Sequence, residues 1–278
     1  MMIDRLRMGA MVVAALLAAG GRAQEPASGA EPAATANEEG TAVSASVDLA
    51  VLTGYLWRGM LINDEPVFQP SLTLDYRGFS LNVWANYDFN DSDEAPAFTE
   101  VDYSASYSFE FGRFAASLGY SLYDYPNSYE EVEDEDGTLS RHAVDSTHQV
   151  FGYIEIPGLD VVPSVTVEYG FGREETLYAS FGLLREQPIA ETLTAEVSAG
   201  LGWGSRAYHR DQLEADRSAL SDATLGVGLV WTPVDPLAVA ASLAYSYFVS
   251  ETISDAAEAC GYDAPDALVG GLTLSYAF

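Results

Sequence analysis

Leu272, Thr273, Leu274, Ser275, Tyr276, Ala277 and Phe278 read as a strand of period two. Leu272, Leu274, Tyr276 and Phe278 fall on one face, and Thr273, Ser275 and Ala277 on the other. In an open soluble sheet, that apolar edge would face water and invite pairing with other chains. A sheet closed into a barrel has no edge, and a bilayer requires the outward apolar face. The fold class expected is all-β: a transmembrane antiparallel up-and-down β-barrel.

Working outward from that strand, the start of the chain agrees. Arg5 and Arg7 form a basic region, residues 8–19 are apolar, and Gly21, Arg22 and Ala23 offer small residues for cleavage. This predicts a signal peptide over residues 1–23. The apolar run is shorter than the ~20 residues a spanning helix needs. Residues 24–42, rich in Ala, Glu, Pro and Gly, read as a flexible periplasmic segment. Residues 43–278 remain for the barrel, expected in a bacterial outer membrane. There the terminal aromatic would serve as a signal to the barrel-assembly machinery, with Leu272, Leu274, Tyr276 and Phe278 as its residues.

Formal net charge is -30, and all 12 basic residues are Arg. That sign excludes nucleic acid as a partner. The absence of Lys removes P-loop and Schiff-base chemistry. Cys260, the single cysteine, reads as a loop thiol without an intramolecular partner.

Alternation predicts about twelve strands, each near the ~9–11 residues a tilted strand needs to cross a membrane. They cover residues 43–57, 71–76, 79–89, 101–111, 114–123, 147–156, 164–171, 176–184, 193–203, 223–231, 237–249 and 268–278. In the third, Phe79, Leu81, Val83, Ala85, Tyr87 and Phe89 face lipid, while Ser80, Asn82, Trp84, Asn86 and Asp88 face inward. Short connections carry turn residues: Arg77 with Gly78, Gly112 with Arg113, residues 157–160, residues 186–188 and residues 233–236. Mostly longer polar connections alternate with these, at 60–66, 90–99, 126–146, 204–221 and 250–265, with 172–175 the one short member of that set. Bacterial barrels place short turns in the periplasm and long loops outside.

Aromatic residues sort by strand end, as interfacial girdles do. Phe79, Phe109, Phe111, Phe114, Trp231, Tyr276 and Phe278 are expected at the periplasmic interface. Tyr55, Trp57, Tyr87, Phe89, Tyr169, Phe171, Trp203, Tyr245 and Tyr247 are expected at the outer one.

Tyr55, Leu56, Trp57, Arg58 and Gly59 are followed by Pro66, Val67, Gln69 and Pro70, then by Gly78 with Phe79 and by Trp84. This pattern resembles the TorF-type porin family, also called the Gcw_chp family, and the resemblance covers roughly the first three strands. It implies an outer-membrane barrel, a porin, with no established solute.

The inward positions are small or acidic. The expected pore-lining residues are Arg58, Asp75, Asp88, Asp102, Glu110, Glu155, Glu168 and Glu196. Several dry carboxylates would cost several kcal/mol each, so they imply water or protonation. A wet, negatively lined lumen favours cations over anions. The alternative is a non-conducting structural or surface-binding barrel, whose inward acidic residues merely solvate a closed interior and whose long acidic loops serve partners or the lipid surface. Arg58 and Asp88 are expected to pair across neighbouring strands, as a constriction or as a register lock. Residues 130–137 form an acidic run in the longest loop, without the spacing of a calcium loop.

Ser146, His142, His148 and His209 match no nucleophile motif, and no metal-ligand spacing is present. No catalytic residue, metal or cofactor is expected. The expected partners are outer-membrane lipid, lipopolysaccharide, the barrel-assembly machinery, and small solutes or cations.

Overall fold

The computed structural model describes residues 43–89, 97–127, 129–133, 139–172, 175–262 and 266–278. The leader and tail expected over 1–42, and residues 134–137 of the acidic run, lie outside them. In chain order, β1 (Ser44–Leu52) leads to a small hairpin, β2 (Tyr55–Trp57) and β3 (Met60–Asn63). Next come β4 (Val67–Tyr76), β5 (Phe79–Asp88), β6 (Ala97–Phe111) and β7 (Phe114–Asp124). A second hairpin, β8 (Tyr129–Glu133) and β9 (Leu139–Ala143), precedes β10 (Thr147–Glu155) and β11 (Val162–Phe171). The rest are β12 (Glu175–Ala190), β13 (Leu193–Gly204), α1 (Arg206–Leu213), β14 (Ala219–Val234), β15 (Leu237–Phe248), α2 (Glu251–Ala259) and β16 (Asp266–Ala277).

All strands except the two small hairpins join one closed antiparallel barrel of twelve. The seam is β1 against β16, with Val47 opposite Tyr276, Leu49 opposite Leu274 and Val51 opposite Leu272. Phe278 N–H donates to the Ala45 carbonyl at 2.7 Å, so pairing continues to the last residue of the seam. Leu272, Leu274, Tyr276 and Phe278 are all exposed on the outside, Phe278 at 76%.

The alternation sets the two faces. Leu81, Val83, Val197, Leu225, Val227 and Leu229 are among many large apolar residues left exposed outside. Soluble proteins do not leave a continuous band of that kind in water, whereas lipid solvates it. No helix among the described residues is long and apolar enough to cross a membrane, so the crossing elements are the strands. Inside, hydroxyls link neighbouring strands: Ser104 with Ser121 and Thr224 with Ser246, each pair 2.8 Å apart.

At one end the connections are tight. Arg77 and Gly78 both have positive φ, 51° and 83°, the two-residue geometry whose twist matches flanking strands. One expected turn is corrected: Glu186, Gln187 and Pro188 lie within β12, paired with Glu196, Ala195 and Thr194. The ladder shifts between Pro188 and Ala190, a bulge where proline has no N–H to give.

At the other end two expected loops contain helices. Ser205 caps α1, its Oγ accepting from Tyr208 N–H at 3.1 Å. The largest correction concerns the first strand. It ends at Leu52, and the segment expected to continue it to Trp57 turns into the barrel as the β2–β3 hairpin.

Candidate functional site

The hairpin turns at Arg58 and Gly59, whose φ values of 47° and 86° match those at Arg77 and Gly78. Trp57 pairs with Met60 across it. Glycine is required at the second position twice over. Its φ is positive, and a Cβ there would lie 2.7 Å from Asp222 Cβ. The tip therefore packs directly against the inner wall formed by β14.

Apolar side chains hold the hairpin on both sides. Tyr55 and Leu56 pack in a buried cluster with Leu52, Val67, Trp84, Ala267 and Val269. Met60 packs with Leu213 and Ala215 at the end of α1, with Ile253 and Ala257 of α2, and with Phe248. The helices thus cover the hairpin from the side of the long connections. Tyr55 and Trp57, expected in the outer aromatic girdle, are here instead. Tyr55 is buried with its ring 5.8 Å from that of Trp84, and Trp57 lies 6.5 Å from Tyr208.

Polar contacts complete the site. Tyr55 Oη donates to Glu100 Oε2 at 2.8 Å. Arg58, only 4% exposed, donates from its guanidinium to Glu168 Oε2 at 2.8 Å and to Gln149 Oε1 at 3.4 Å. Gln149 Nε2 in turn donates to Glu168 Oε1 at 2.8 Å. The guanidinium carbon stands 4.2, 4.5 and 5.4 Å from the ring centroids of Tyr178, Trp57 and Tyr208. Arg58 is therefore not a strand residue facing a neighbouring strand, and its partner Glu168 belongs to β11. Asp88, the partner expected from sequence, accepts from Asn86 Nδ2 at 2.7 Å.

The other expected lining residues divide by depth. Asp102 and Glu168 are each 1% exposed beneath the hairpin, and Asp102 has no hydrogen-bond partner for either carboxylate oxygen among the described residues. Glu196 is buried near the opposite end, facing Glu186 across the ladder. Asp75 and Glu155 are half-buried, and Glu110 is exposed. Tyr153 Oη donates to Glu155 Oε2 at 2.6 Å.

Four acidic inward residues escaped the sequence reading. Asp222 falls between the loop expected over 204–221 and the strand expected from 223, and it is buried in β14 as the acceptor of the Tyr178 hydroxyl. Glu100 was missed because β6 starts at Ala97, ahead of the expected start. Glu186 was missed because it was assigned to a turn. Asp48, which accepts from Ser275 Oγ, was legible in the alternation of Ser44, Ser46, Asp48 and Ala50.

The histidines and Ser146 are not assembled into a nucleophile. Ser146 Oγ donates to Asp124, His148 stacks on Phe171, and His209 is buried in α1. Among the described residues, no group of three His, Cys, Asp or Glu is placed to hold a metal ion. Cys260 is exposed at the end of α2.

Residues 34–254 match the model of the family described as bacterial protein of unknown function (Gcw_chp), and the chain belongs to that family. Among solved structures, the KdgM porin is 11% identical, with 84% of this chain and 99% of that chain covered and a TM-score of 0.50. The NanC porin is 9% identical over 84% of this chain and 98% of that one, with a TM-score of 0.49. OmpT of Vibrio cholerae is 8% identical over 85% and 97%, with a TM-score of 0.41. No curated protein matches the chain. The shared fold is the porin-like barrel, and a bacterial chain that crosses a membrane with twelve strands belongs in the outer membrane.

Proposed function

We propose that the chain is an outer-membrane porin that passes small solutes, prefers cations, and rests with its outer mouth closed by the β2–β3 hairpin. The supporting observation is the sign of the inner wall. Asp48, Asp75, Glu155 and Glu196 line one half, and Glu100, Asp102 and Glu168 line the other. Among the described residues the one buried arginine is Arg58, which the hairpin carries rather than the wall. Carboxylate-lined pores attract cations and repel anions. A twelve-stranded barrel lies between side-chain-filled eight-stranded barrels and the wide 16–18-stranded porins, so one hairpin is enough to close it.

The second reading, a non-conducting structural barrel, is favoured by the same hairpin and by the helices that cover it. Planar-bilayer recording separates the two. Wild type is compared with a variant in which residues 54–64 are replaced by a short Gly/Ser linker. The variant should conduct more than wild type, and its reversal potential in a KCl gradient should favour potassium. That preference should weaken toward 1 M salt, where the Debye length falls to ~3 Å. Chloride preference would defeat the cation reading, and silence from both proteins would establish the structural one.

A further inference from the structure

The surroundings of Arg58 are more specific than a latch requires. Its charge meets a carboxylate at 2.8 Å and a carboxamide oxygen at 3.4 Å, and three aromatic rings lie within 5.4 Å of the guanidinium carbon. Planar guanidinium stacks on rings and donates from its edge, whereas a compact ammonium is more strongly hydrated and presents no flat face. All but Trp57 of these groups lie outside the hairpin. Gln149 and Glu168 come from β10 and β11, Tyr178 from β12 and Tyr208 from α1.

The surrounding groups are also held in place. Tyr178 Oη donates to Asp222 Oδ1 at 2.7 Å, which fixes the ring that stands closest to Arg58. A Cβ on Gly202 would lie 2.1 Å from that hydroxyl, so glycine makes the room it occupies. Gln149 is oriented by its bond to Glu168, which turns its oxygen toward the guanidinium. Both members of that pair are buried.

We propose that Glu168, Gln149, Tyr178 and Tyr208 form a binding site for solutes bearing a guanidinium group, and that Arg58 is its built-in occupant. This deepens the cation-preferring porin reading and rests on it for the route by which a solute arrives. A guanidinium solute that takes the site displaces Arg58 and with it the hairpin tip, so the same cation that is bound favours the open mouth.

The test uses the full-length protein refolded in detergent, with ethylguanidinium as probe and ethylammonium as the control of equal charge. Arg58→Ala, checked for a folded barrel by heat-modifiable gel mobility, should bind ethylguanidinium in calorimetry at least tenfold more tightly than ethylammonium. It should also bind it at least tenfold more tightly than wild type does. Adding Glu168→Gln should abolish that preference. Equal affinity for the two cations, or binding that survives Glu168→Gln, overturns the proposal.

Wild type supplies a measurement that does not depend on the variant folding. At equal ionic strength, ethylguanidinium should raise open-channel occupancy several-fold over ethylammonium. Equal occupancy with the two cations overturns the proposed displacement. A wild-type barrel that never conducts with either cation also overturns it, together with the porin reading, while the calorimetry still decides whether the site binds guanidinium.

Discussion

Toward the periplasm Asp75 and Glu155 are half-buried and Glu110 is exposed, whereas toward the outer mouth Glu100, Asp102 and Glu168 are sealed from solvent. The strands do not cause this difference. Both halves alternate in the same way, and both carry an apolar exterior. What differs is the filling: one half holds only wall side chains, among them the small buried cluster of Val230, Ala238 and Ala240, and the other is occupied by a nine-residue hairpin (55–63) under two helices. An inward carboxylate therefore has two possible environments in one barrel. For Glu100, Asp102 and Glu168 the sealing comes with chain that is not part of the wall, whereas Glu196 is buried at the other end without it.

The largest effect expected from this contrast is at Arg58. Removing one partner of a buried ion pair leaves the other charge uncompensated, at a cost of about 3–5 kcal/mol. Arg58→Ala should lower stability by that order, measured by reversible unfolding in lipid vesicles, and Glu168→Gln added to it should restore part of the loss. Asp75→Asn, at a half-buried site away from the hairpin, should change stability by no more than about 0.5 kcal/mol. Similar losses at the two sites would erase the distinction between the halves.

The distinction was only partly legible in the sequence. Strands such as β5 and β13 declared themselves because period two runs unbroken between turn residues, and the faces follow from that period alone. The hairpin was hidden because Val51, Thr53 and Tyr55 continue the alternation of β1 past its true end. Two signals were nonetheless present. Gly54 interrupts the pattern, and a lone glycine in a strand marks a bulge or a close backbone approach. The Arg58–Gly59 pair is the same dipeptide as Arg77–Gly78, which does read as a turn, and both adopt the same backbone geometry. Pairwise contacts such as Arg58 with Glu168 join residues 110 positions apart. No local pattern encodes them, because they depend on which way the hairpin folds.

A smaller effect tests whether the halves differ inside only. Val83, 41% exposed on the lipid face of β5, belongs to the band that both halves share. Val83→Arg should cost ~2–4 kcal/mol if it meets the bilayer midplane. Asn82→Arg, one residue away and facing the interior, should cost much less and should mainly alter conductance. Refolding into lipid measures both. Equal destabilisation would mean that the two faces of this strand are not the ones described.

The smallest effect is a pH dependence confined to the covered half. His209 of α1 is fully buried, with Nδ1 2.7 Å from the Arg217 carbonyl oxygen. Its Nε2 is buried without a hydrogen-bond partner among the described residues. Burial pushes its pKa below the ordinary 6.5, against a weaker upward pull from the Arg217 carbonyl. Between the lowered folded value and 6.5 the unfolded helix binds more protons than the folded one, so stability there rises with pH. The contribution of neutral His209 is complete above 6.5 and is lost as pH falls through the lowered value. Hydrogen exchange should therefore show the α1 amides less protected at pH 5 than at pH 7.5, while amides of the periplasmic turns change little. His209→Asn, which keeps a donor for the Arg217 carbonyl but does not titrate, should remove the difference. Protection that grows on acidification, or a pH dependence unchanged in His209→Asn, would separate the helices from any role in sealing the outer half.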